Sequence, residues 1–170
     1  DVGNYDSYGL GLALSGPATD AVNYRLAANQ YKSDGFIDNT YLAKDNTNNR
    51  DETTVRGKLS IEASQELTID LAAFYFDFDN GYDAFSLDNT RETLSDQPGV
   101  DRQKTSAFST NFTYQGFDAF TLIALISTAD SDLTYGYDED WAYGEYEYNE
   151  DDWDNDIYNP DPCITPTGCL

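Results

Sequence analysis

Histidine and methionine are both missing from this 170-residue chain, and lysine and arginine together number nine. Without histidine, the commonest general base and the commonest transition-metal ligand are gone. Serine then lacks its usual activating partner, and neither a Gly-x-Ser-x-Gly elbow nor a phosphate-cradling glycine loop occurs. Carboxylate pairs are everywhere in so acidic a chain, so any chosen pair is chance, and an enzyme is not expected. No run of about 18 apolar residues exists, which excludes a transmembrane helix but not barrel strands, whose alternation never builds one. With no methionine and Asp1 in first place, the expectation is that the sequence is not a complete translated product. Any targeting segment would then lie upstream or have been removed.

Thirty-two acidic residues give a formal net charge of -23. That field repels phosphate backbones, so no nucleic-acid partner is expected. The last basic residue is Lys104, and Asp130 to Asp161 is densely acidic. The only two cysteines, Cys163 and Cys169, lie near the end with five residues between them. Lacking further ligands they do not read as a zinc pattern; a local disulfide in an oxidising compartment is the expectation.

What is abundant is aromatic and alternating. Aromatics make up 15% of the chain, including fourteen tyrosines, which argues for strands and interfaces rather than for acidic disorder. From Tyr8 to Ser15, Tyr8, Leu10, Leu12 and Leu14 share one face, and Gly9, Gly11, Ala13 and Ser15 the other. Gly16 to Asp20 reads as a turn, and Val22 to Ser33 as the return strand of a hairpin. Further strands are expected over Thr53–Ala63, Leu67–Phe78, Lys104–Tyr114 and Phe120–Thr128, joined in pairs by short turns at Ser64–Glu66 and Gln115–Asp118. Long polar connections occupy about 34–52 and 79–103, and a third long segment starts at Ala129. Phe74, Phe76 and Phe78 break the pattern by falling on the otherwise polar face.

This rhythm predicts an all-β fold, an antiparallel up-and-down meander of about six long strands with every long loop at one end. Strands of roughly 9 to 12 residues suit a tilted bilayer crossing. One face is apolar; the other carries Arg25, Arg56, Lys58, Glu62 and Asp70, which fits lipid outside and a wet lumen inside. The expectation is therefore part of a transmembrane β-barrel over residues 1–143, followed by an acidic extracellular loop segment, 144–170, with the cysteine pair. The other reading is a soluble or surface sheet that self-associates through its open strand edges.

Four stretches carry a family resemblance: YKSDGFIDNTYL (Tyr31–Leu42), NNRDETTVRGKL (Asn48–Leu59), DFDNGYDAFSLDNTRETLSDQPGVDRQ (Asp77–Gln103) and YGYDEDW (Tyr135–Trp141). Together they resemble the barrel of TonB-dependent outer-membrane receptors, over about Tyr5 to Tyr143. The resemblance implies a bacterial outer-membrane location and contact with its lipid. It also implies energised uptake of a scarce nutrient such as an iron chelate, cobalamin or a glycan. Such receptors have 22 strands around an N-terminal plug, through which the TonB complex acts; neither plug nor TonB box is visible here.

Candidate binding residues are the loop aromatics Tyr82, Phe85, Tyr137 and Trp141, which stack on ligands or build an aromatic girdle at a membrane interface. Arg91 and Arg102 could hold a ligand carboxylate or pair with local acids such as Asp88 or Asp101. Asp138, Glu139 and Asp140 offer hard oxygen ligands that suit Ca2+; no other cofactor is expected. Asp77 to Asp88 has the start of a calcium loop, but Gly81 stands fifth instead of sixth and Asp88 replaces the closing glutamate.

Overall fold

The computed structural model describes residues 1–86, 89–139 and 141–143. In chain order it contains β1 (Tyr8–Thr19), β2 (Val22–Ser33), β3 (Asp38–Asn39), β4 (Arg50–Glu62), β5 (Leu67–Gly81), β6 (Glu92–Thr93), β7 (Val100–Tyr114) and β8 (Leu122–Gly136), with no helix among the described residues. Six strands form one antiparallel sheet in the order β1-β2-β4-β5-β7-β8, so each long strand pairs with the next. The expected meander is present, with short turns at one end and long loops at the other. β1 and β8 are the two edges, and the sheet is not closed.

The strands run longer than alternation suggests. β1 continues through Gly16 and Pro17 to Thr19, where a turn was expected. Pro17 cannot donate to a ladder, but β1 is an edge and its register shifts between Pro17 and Thr19. At the loop end, β4, β5, β7 and β8 extend into stretches rich in Asp, Asn and Ser that read as loop. A cross-strand charge pair supports the extension of β5 and β7: Arg102 faces Asp79.

The sheet buries no layer of its own. Leu10 is 73% exposed, Leu12 62% and Ile126 67%, while the only buried apolar residues among those described are Ile37 and Ala142, both in loops. Registry places Leu12, Ala28, Val55 and Tyr75 in one row of the apolar face, and Leu14, Leu26, Gly57, Ala73 and Phe108 in the next. Towards the loops this face turns polar, with Lys32 bonded to Asp51 at 2.6 Å and Lys104 to Asp77 at 3.4 Å. The apolar part is therefore a belt confined to the turn-end half.

The two long loops between β2 and β4 and between β5 and β7 fold onto each other. The parallel pair β3 and β6 joins them, an element alternation does not reveal. Asn39, almost fully buried, donates through Nδ2 to the Asp83 carboxylate at 2.9 Å and to the Ser95 carbonyl at 2.8 Å. Its Oδ1 accepts from the Leu42 amide at 2.8 Å. A Cβ on Gly81 would collide with the Thr47 carbonyl, so only glycine lets the first loop lie this close to β5.

Candidate ligand-binding site at the loop end

Five aromatic rings from two separate stretches of the chain, 82–85 and 135–141, meet where β5 and β8 enter their loops. The Phe85 ring stacks on Trp141 with centroids 5.2 Å apart and planes within 14°. Tyr82 lies edge-on to Phe85 at 5.9 Å, and Tyr137 is 5.8 Å from Phe85 on another side. Tyr135 completes the cluster, 5.0 Å from Tyr82 and 6.2 Å from Tyr137. All four aromatics predicted from the sequence thus belong to one group. Tyr135 is the member that pattern reading missed, although it sits two residues before Tyr137 in the same strand-end run.

The cluster is open enough to meet a ligand. Tyr135 and Tyr137 are about half exposed (52% and 50%), and Phe85 is exposed on one side. Trp141 is half-buried and holds a left-handed backbone, φ 56°, a conformation uncommon for a bulky residue. Its indole N–H is buried with no hydrogen-bond partner among the described residues. A hydrogen bond with Tyr82 and partial desolvation push the Tyr135 hydroxyl up to about 12, so it is neutral at physiological pH. The arrangement offers ring faces for stacking on a flat or apolar ligand surface, with tyrosine hydroxyl groups at its border.

The predicted cations do not join this cluster. Arg91 donates from Nη1 to the Tyr5 hydroxyl at 2.8 Å and lies 6.0 Å from the Phe36 ring centroid. It ties the second long loop to the N-terminal segment, and no acid among the described residues pairs with it. Arg102 does pair with a local acid, but with its cross-strand neighbour Asp79 at 2.5 Å. Asp138 and Glu139 lie in the chain between Tyr137 and Trp141 and border a groove with Gln97 and Pro98. Among the described residues no three His, Cys, Asp or Glu side chains are gathered to hold a metal. Asp88, Asp140, Cys163 and Cys169 lie outside the described residues.

At the border of the belt, Tyr75 donates its hydroxyl to Asp77 at 2.8 Å, with the Lys104 ammonium over its ring at 6.0 Å. The Tyr75 hydroxyl first, and Lys104 second, hold the Asp77 carboxyl below the usual range; the bond to Asp77 holds Lys104 above its own. The three phenylalanines that break the alternation, Phe74, Phe76 and Phe78, run along the polar face of β5. Their neighbouring rings are 5.4 and 4.9 Å apart, an aromatic ladder leading towards the loop end.

No family model, curated protein or solved structure matches the chain.

Proposed function

We propose that the chain forms part of the wall of a bacterial outer-membrane receptor of the TonB-dependent kind, which binds a scarce nutrient and passes it inward without catalysis. The observation that carries this reading is the slant of the apolar belt. On β1 the belt reaches Leu10; on β7 and β8 it ends at Phe108 and Ile126, two to three cross-strand rows nearer the turns. Two to three rows of ~6.8 Å over five strand spacings of ~4.8 Å correspond to a strand tilt of roughly 30–40°. Barrel strands in a bilayer tilt by about 35–45°. A soluble sheet covered by a second layer has no reason to cut its apolar zone obliquely and end it in charges.

The height agrees. On β5 the belt runs from Leu67 to Tyr75, roughly 26 Å along the strand and ~20 Å once tilted, near the ~25 Å apolar band of outer-membrane barrels. Aromatics border it on both sides. Tyr8 and Tyr75 stand at the loop side; Tyr114, Phe117 and Phe120 at the turn side, where Phe117 and Phe120 stack at 4.5 Å. In this reading Tyr82, Phe85, Tyr135, Tyr137 and Trp141 face the outside, where an iron chelate, cobalamin or a glycan would first dock. A plug domain and the TonB complex would supply gating and energy.

One observation favours the second reading, a surface sheet that assembles through its edges. β8 presents 15 residues exposed nearly throughout, including Ile123 at 65% and Leu125 at 68%. A long, flat apolar edge invites another strand. Within a barrel that strand is the next in the wall; outside a membrane it is a second copy.

Disrupting the gene and measuring uptake of an iron chelate, cobalamin and a glycan tests the receptor assignment. Loss of one is expected; unchanged uptake of all three contradicts it. Purification separates the two readings. Sheet formation dependent on detergent or lipid is expected, and a folded species monodisperse in plain buffer would overturn the membrane reading.

A further inference from the structure

We propose that Arg25, Arg56 and Lys58 form a binding site for an oxyanion on the polar face of the sheet, remote from the aromatic cluster. Arg25 and Lys58 are direct cross-strand partners, and Ala27 stands opposite Arg56. Like charges directly opposite one another destabilise a strand pair. All three side chains are exposed, and none forms an ion pair with a described residue. Lys32, Arg50, Arg102 and Lys104 all have a carboxylate at 4 Å or less. In a chain with 32 acidic residues and nine basic ones, three grouped cations with no ion pair among the described residues need an explanation. Asp70, the acid on this part of the face, instead accepts a hydrogen bond from Ser60 at 2.7 Å.

Shape points the same way. Arg25, Ala27, Arg56 and Lys58 line a recess of about 80 Å³, its floor kept low by the alanine methyl. Water occupies ~30 Å³ per molecule in the liquid, so the recess takes a group of two to three water volumes, the size of one phosphate or carboxylate. A groove of about 460 Å³ on the same face brings Asn23 and Asn111 beside Lys58, supplying amide donors for further oxygens, with Asp70 also in its lining. Guanidinium groups bind such oxygens with two parallel N–H bonds, and the ammonium adds a point charge. The ligand is therefore a solute bearing a multiply charged oxyanion. The site requires only that water reach the polar face, and it goes beyond the receptor assignment without depending on it.

Calorimetric titration of the full folded chain, in micelles if it needs them, with inorganic pyrophosphate and separately with citrate tests this. Saturable binding of at least one is expected, and which one binds tells phosphate from carboxylate chemistry. Arg56→Gln and Lys58→Gln should each weaken binding about tenfold or more, while Lys104→Gln, on the other face, leaves it unchanged. Binding to the wild-type chain should also weaken with added salt. Absence of saturable binding to the wild-type chain overturns the proposal, as does equal affinity in Arg56→Gln or an equal loss in Lys104→Gln. Because wild-type binding is itself decisive, a variant that fails to fold does not leave the question open, and detergent dependence is scored separately.

Discussion

The turn-end and loop-end halves of this sheet share strands and registry, yet their chemistry is opposite. In the turn-end half of the apolar face, Leu14, Leu59 and Ile126 stand exposed with no layer over them, and no charge interrupts the belt. Three to four rows beyond Leu59 and Ile126, Lys32–Asp51, Lys104–Asp77 and Arg102–Asp79 pair across the ladder, and folded loops meet the strand ends. Hydrogen bonding is satisfied equally in both halves, so the backbone does not distinguish them. Side chains do, and the change from apolar to charged is sharp.

The strongest way to break this comparison is to place a cation in the belt. Leu71→Arg should destabilise the chain folded in lipid vesicles by about 2–4 kcal/mol, whereas Ala72→Arg, one residue on and facing the polar side, should cost about 1 kcal/mol or less. Denaturant titration of both variants reads the difference, and equal costs would remove the lipid-facing assignment. Next in size is the loop knot. Asn39→Ala leaves the Asp83 carboxylate, the Ser95 carbonyl and the Leu42 amide without their partner, at an expected cost of about 1–3 kcal/mol. Limited proteolysis should show cleavage confined to the two long loops, with the strands still protected.

Smaller again is the aromatic cluster. Phe85→Ala removes the ring that touches Tyr82, Tyr137 and Trp141, and should cost about 0.5–1.5 kcal/mol per well-formed pair lost. Tryptophan emission should shift as Trp141 becomes wetter; an unchanged spectrum would argue against the stack. The smallest effect is the pH response of the exposed pair at the belt border. The folded-state carboxyl of Asp77 is depressed, so its contribution is present above the ordinary aspartate value of 3.8 and is lost as pH falls through the lowered one. Lys104 is raised, so its contribution is full below 10.5 and is lost on the alkaline side. Thermal melts should be little changed by this pair between about pH 5 and 9, and Lys104→Gln should reduce the extra loss below pH 4.

The meander is legible in the sequence because period two leaves a direct trace: Leu10, Leu12 and Leu14 on one face, Arg56 and Lys58 on the other. Strand ends are not, since Asp79 and Arg102 read as loop until a cross-strand partner of opposite charge is placed beside them. The same holds for the turn at Gly16–Asp20, where an edge position lets Pro17 stay in the strand. Four aromatics of the cluster were marked by their loop positions, but their convergence depends on the β7–β8 register and the path of the second loop. Tyr135 lies in a part of β8 that composition assigns to a loop. The β3–β6 bridge and the Asn39–Asp83 bond connect residues tens of positions apart, and no local pattern encodes that meeting.

The central claim is that one face of the turn-end half meets hydrocarbon and that this contact stops at Tyr75. Nitroxide labels placed one at a time from residue 69 to 79, in a Cys163→Ser, Cys169→Ser background reconstituted into vesicles, test it most directly. The account predicts high oxygen accessibility at 69, 71, 73 and 75, high accessibility to a polar relaxant at the intervening positions, and a switch to the polar relaxant at 77 and 79. Uniform accessibility along the strand, or odd positions shielded from both reagents as under a second protein layer, would contradict it.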